Sequence, residues 1–155
     1  MRRIVVLTLA ITVMLVFSVP AGASPPSDVH IEVETSLVGE NPPGPFTASG
    51  PAVDAGVVCS NGTVVNATGQ LSGFSSQGFN FQGIKHFTCA DGSGEFFVNL
   101  QVRIDFRKGV TFSWNVLGGT GDYEDLHGAG SGAELDECGE DCVLDVYDGG
   151  LHIDS

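Results

Sequence analysis

The stretch FFVNLQVRIDFRKGVTFSWNVL, Phe96 to Leu117, decides the fold. Its even positions are Phe96, Val98, Leu100, Val102, Ile104 and Phe106, and from Val98 onward they alternate with Asn99, Gln101, Arg103 and Asp105. Apolar residues at every second position give a strand one dry and one wet face, whereas on a helix they would ring the axis. Arg107-Lys108-Gly109 reads as a three-residue hairpin connection whose Gly takes the left-handed conformation. Closing the hairpin there pairs Phe106 with Val110, Ile104 with Phe112, Val102 with Trp114 and Leu100 with Val116. The opposite face then sets Asp105 against Thr111, Arg103 against Ser113 and Gln101 against Asn115. A slip of one residue would turn the apolar set to water, so pattern and turn agree on one register.

Working outward, Gly118-Gly119-Thr120-Gly121 reads as a turn, because clustered glycines leave the backbone too free to hold a strand. Gly128, Gly130 and Gly132 then alternate with larger residues, which predicts a strand that bends sharply or that another segment approaches closely. Upstream, Val29, Ile31 and Val33 form a first strand ending near Val38, and Asn41-Pro42-Pro43-Gly44-Pro45 a long loop. FTASGPAV and GVVCS read as short strands before an Asn61-Gly62 turn. Phe79 and Phe81, Lys85 to Cys89, Ala133 to Leu135 and Cys142 to Tyr147 complete about eight strands. No segment has helical periodicity of useful length. The fold class is all-β, a single antiparallel β-barrel of about eight strands, with a β-sandwich as the alternative.

Arg2 and Arg3, the apolar run Ile4 to Val19 and Pro20-Ala21-Gly22-Ala23 form an export signal cleaved after Ala23, and the run is short of the roughly 20 residues of a membrane span. The expected organisation is a signal peptide at 1–23, a flexible leader at 24–28 and a barrel domain at 29–155, in a secreted protein. Losing Arg2 and Arg3 leaves four Lys and Arg against 19 Asp and Glu, a net charge of −15. Such acidity excludes nucleic acid and disfavours anionic membrane surfaces after signal cleavage, while favouring solubility as a monomer or dimer.

Four cysteines in an exported chain predict disulfides. Cys138 and Cys142 are close enough to be partners across a tight loop, which leaves Cys59 with Cys89. A zinc site is the alternative for the CxxxC pair.

WNVLGGTGDY (Trp114 to Tyr123), followed by Gly128-Ala129-Gly130, resembles the core of the allene oxide cyclase and dirigent-like β-barrel superfamily. More closely, the chain resembles a group of small exported bacterial proteins sharing FTASGPAVDAGVVCSNG, CADGSGEF and the GGTG segment. The resemblance implies an eight-stranded antiparallel barrel. It implies no catalytic residue here, because the superfamily's acid, tyrosine and arginine positions have no counterparts identifiable in this sequence.

The acidic groups Asp122, Glu124, Asp125 and Glu134, Asp136, Glu137, Glu140, Asp141 could offer oxygen ligands to calcium, but their spacing matches no EF-hand or repeat loop, and solvated acidic turns are the plainer reading. His30, His86, His127 and His152 are the acid/base candidates; none neighbours a nucleophile motif, and His127, beside the glycine series, is the first to test. Trp114 belongs in the core by register, and Arg103 with Asp105 reads as an exposed ion pair. Asn61-Gly62-Thr63 and Asn66-Ala67-Thr68 are formal glycosylation sequons. The expectation is a secreted small-molecule-binding or structural module without cofactor or metal, any ligand being small, apolar and held at the barrel mouth. The alternative is a cofactor-independent cyclase or dirigent-like enzyme, so whether the protein is an enzyme stays open.

Overall fold

The computed structural model of the protein describes residues 25–36, 42–139 and 141–154, with the backbone alone at 136, 137 and 139. The signal peptide at 1–23, the end of the first strand near Val38 and the start of the proline loop at Asn41 lie outside the described residues. Eight strands follow in chain order: β1 (Ser27–Ser36), β2 (Gly44–Ser49), β3 (Asn61–Ser75), β4 (Gly78–Cys89), β5 (Gly94–Asp105), β6 (Gly109–Gly121), β7 (Leu126–Gly139) and β8 (Cys142–Ile153). Each pairs antiparallel with the next, and β8 returns to β1, closing the barrel. Closure leaves the described strands of β1 and β8 with no free sheet edge between them.

The dry face predicted for β5 and β6 is present, but its register differs by two residues. Val102 faces Phe112, Leu100 faces Trp114 and Val98 faces Val116, while Arg103 faces Thr111, Gln101 faces Ser113 and Asn99 faces Asn115. Phe106, Arg107 and Lys108 form the turn, and Gly109 (φ 88°) opens β6. A two-residue shift preserves which side chains face inward, so alternation fixed the face and left the partner open. The Asp105 carboxylate decides the turn: it accepts hydrogen bonds from the backbone N–H groups of Arg107 (2.9 Å) and Lys108 (3.2 Å).

Other expectations are corrected by packing. Asn61-Gly62 is not a turn but the start of β3, with Gly62 opposite both Phe46 and Cys89. A side chain at Gly62 would meet the Phe46 ring at 2.6 Å, so the glycine serves close approach. Gly118 to Gly121 likewise continues β6, through a bulge opposite Phe97 and Val98, and the chain turns only at 122–125. FTASGPAV ends as a strand at Ser49; Pro51–Asp54 forms a four-residue helix, α1, and GVVCS is not a strand. Ala52 and Val58 are buried there against the core. Ser27 and Asp28 are no leader, since they pair with Leu151 and Gly150.

The core fills the barrel. Phe87 and Phe96 stack at 4.7 Å, Phe46 meets Phe87 edge-on at 5.2 Å, and Tyr147 lies 4.7 Å from Phe112 and 6.3 Å from Trp114. The glycine series makes room for them. A Cβ on Gly130 would strike the Asp148 carbonyl and come within 2.8 Å of the Trp114 ring, and one on Gly132 would strike Phe112. Large rings on β6 thus lie across bare backbone on β7 and β8. Cys59–Cys89 and Cys138–Cys142 are both disulfides, with Cα atoms 6.0 and 5.0 Å apart.

Strand length sets the shape of one end. At the level where Lys85 reaches Asp145, β4 extends seven residues further to Gly78, while β8 extends three to Cys142. At about 3.3 Å per residue that is roughly 23 Å against 10 Å. The β3–β4 hairpin therefore runs further past Lys85 than the end of β8 runs past Asp145.

Candidate functional site

Four polar clusters and one apolar surface could carry chemistry. The first lies inside the barrel, where Lys85 falls on the inward face of β4 with Phe87 and Cys89. Its Nζ donates to Thr35 Oγ1 at 2.6 Å and to Asp145 Oδ2 at 3.0 Å, and Thr35 donates to Asp145 Oδ2 at 2.8 Å. Burial lowers the Lys85 pKa, and the Asp145 charge opposes that shift. The adjoining hollow, about 10 Å³, has room for about one water. Lys85 was not anticipated as a buried group, although the inward alternation of Phe87 and Cys89 extends to it.

The second cluster is His127, His152 and Asp154. His127 faces His152 across β7 and β8 with rings 5.6 Å apart, and the two Nε2 atoms lie 3.3 and 3.5 Å from the Asp154 carboxylate. His152 Nδ1 is buried without a hydrogen-bond partner among the described residues. His30 bonds Asp148 at 2.7 Å, which raises its pKa, and His86 bonds Glu95 at 2.9 Å while stacking on Phe97 at 4.5 Å. The four histidines thus occupy three separate places on the wall.

Trp114 is core, its Nε1 donating to the Ser131 carbonyl at 3.1 Å. Asp105 does not serve Arg103 as an ion-pair partner; its carboxylate is turned to the loop amides, which hold its pKa down. Asp122, Glu124 and Asp125 are exposed around buried Tyr123. Asp141 is exposed, Glu134 half-buried, and Glu140 with the side chains of Asp136 and Glu137 lies outside the described residues. Among the described residues no group of three or more His, Cys, Asp or Glu gathers to hold a metal ion. Asn61 and Asn66 are both exposed.

The apolar surface is the inward side of the β3–β4 and β5–β6 hairpins. Past the packed core, Leu71 and Phe74 of β3, Phe79 and Phe81 of β4, and Ile104 and Phe106 of the β5 end follow one another. Phe74 stacks on Phe79 at 5.5 Å, and Phe79 meets Phe106 at 6.0 Å. Yet Phe74 is 70% exposed, Phe106 64% and Leu71 51%. Aromatic rings that touch one another while facing solvent form a patch, not scattered surface residues. Sequence alternation marked Phe106 as buried and missed this surface, because it could not tell where barrel closure stops.

The fold and this ledge define a closed eight-stranded antiparallel β-barrel with a solid interior and an apolar rim on one side. No family model, no curated protein and no solved structure matches the chain. Two disulfides stitch it, and no helix among the described residues is long and apolar enough to cross a membrane.

Proposed function

We propose that the protein is an exported, cofactor-independent binding module that holds apolar groups on the ledge above the barrel mouth. The observation that carries the reading is the continuous, solvent-facing contact of Phe74, Phe79 and Phe106 over a filled core. Exposing these rings has no folding benefit, since apolar area left in water forgoes about 25 cal/mol per Å². Export fits the paired cysteines, which persist as disulfides in oxidising compartments. A cyclase or dirigent-like reaction within the barrel has less support: Tyr147, Phe112 and Trp114 fill the centre, and the inward polar groups Lys85, Thr35 and Asp145 satisfy one another.

The test is titration with a neutral fluorescent apolar probe such as N-phenyl-1-naphthylamine. Saturable binding that F74S/F106S weakens at least tenfold, with unchanged thermal stability, supports the ledge. Equal binding by the double variant, or none by the parent, refutes it.

A further inference from the structure

We infer that the outer wall of β3 to β6 is a second binding site, independent of the ledge, and that it takes a neutral oligosaccharide. The carrying fact is how little charge this wall bears. Of the 19 Asp and Glu, none falls between Ala55 and Ala90, and the three from there to Gly121 are all engaged: Asp91 with Ser93, Glu95 with His86, and Asp105 with the Arg107 and Lys108 amides. The outer wall of β1 and β8, by contrast, exposes Glu32, Glu34 and Asp148. Register lines neutral side chains up across four strands. Gln70 faces Gln82, Gln82 faces Gln101 and Gln101 faces Ser113, all exposed on the side away from buried Leu100 and Trp114. Two residues along the strands, Ile84, Asn99 and Asn115 form the next row, in which Asn99 Nδ2 donates to Asn115 Oδ1 at 3.1 Å. Two residues the other way, Asn80 faces Arg103, the one charged side chain in the three rows.

Folding does not ask for such a wall. Asn is depleted in strands, stacked Asn and Gln side chains favour association, and mixed charge is what keeps a surface soluble, so a chain this acidic gains nothing by omitting charge here. The rows extend roughly 13 Å along the strands and roughly 14 Å across them. They line two adjoining clefts of about 490 and 450 Å³ that share Gln82, within the size range of ligand sites. An amide presents a donor and an acceptor side by side, which matches neighbouring hydroxyls on a sugar, and Ile84 gives the first cleft an apolar spot for the C–H face of the ring. A phosphorylated or acidic ligand would need cations that the rows lack apart from Arg103, and a basic peptide would need carboxylates. An apolar ligand would leave the amides without partners.

The experiment uses residues 24–155, since all eight strands lie within 27–153. Isothermal titration calorimetry is run with maltohexaose, cellohexaose, laminarihexaose and mannohexaose, and with oligogalacturonate as the acidic control. The expected result is saturable binding of at least one neutral chain, insensitive to salt because no ion pair carries it. Q82A/Q101A removes two exposed amides from the middle row and weakens binding roughly tenfold or more, at about one hydrogen bond each; circular dichroism and an unchanged Tm show the variant folded. F74S/F106S leaves sugar binding as it was, which separates this wall from the ledge. No binding of any neutral chain, binding that Q82A/Q101A leaves intact, or tighter binding of oligogalacturonate overturns the inference. Sugar binding lost in F74S/F106S and kept in Q82A/Q101A assigns the sugar to the ledge and overturns it as well.

Discussion

Removing the same oxygen from two buried tyrosines should change stability in opposite directions. Tyr147 Oη is buried in the barrel centre with no hydrogen-bond partner among the described residues, and burial drives its pKa well above the ordinary phenol value. A buried hydroxyl without a partner costs about 1–3 kcal/mol. Y147F removes that cost and forfeits a few dispersion contacts, leaving a gain of about 1 kcal/mol. Tyr123 is equally buried, but its Oη shares a 2.7 Å hydrogen bond with Ser93 Oγ and lies 3.5 Å from Cys89 Sγ. Y123F therefore loses about 1 kcal/mol; the loss is modest because Ser93 keeps its bond to Asp91. With an unfolding entropy near 2.1 cal/mol/K per residue over about 130 residues, each kcal/mol moves Tm by about 4 °C. Urea denaturation under non-reducing conditions, followed by the single Trp114 and by circular dichroism, reads both. A Y147F variant destabilised by 1 kcal/mol or more would refute the reasoning, since it would show a partner for that hydroxyl.

K85M should cost roughly 3–5 kcal/mol by stranding Asp145 inside the barrel, whereas K85M/D145L should recover most of it, as judged by the same urea midpoints. G130A should cost about 1–3 kcal/mol, because the new methyl overlaps the Asp148 carbonyl and crowds the Trp114 ring; a drop in Tm reports it. The His30 pair with Asp148 has a defined pH sign. Its folded pKa lies above 6.5, so its contribution is complete below about pH 6.5 and is lost as pH rises through the folded value. Comparing Tm of the parent and H30Q from about pH 5.5 to 8.5 should show the difference shrinking toward the alkaline end. The side chain is 44% exposed, so the effect is small.

Alternation in Phe96 to Phe106 and Val110 to Val116 determined, without coordinates, that these strands are antiparallel neighbours with a shared dry face, because the side-chain period of a strand is fixed. Spacing likewise pointed to the cysteine partners, Cys138 with Cys142 and hence Cys59 with Cys89. What alternation could not determine is distance along the strand: a shift of two leaves every side chain on its face, and only the Asp105 turn and the bulge at Phe97 and Val98 select Val102 opposite Phe112. Glycine was misread for a related reason. Gly62 and Gly119 look like turn residues locally, but the Phe46 ring and the Tyr123 Cβ, at 2.6 and 2.9 Å from where their Cβ atoms would stand, claim that space from elsewhere in the chain. The ledge is wholly a tertiary product. Phe106 has the local pattern of a core residue, yet it is 64% exposed, because alternation along one strand does not show where the strands around it end.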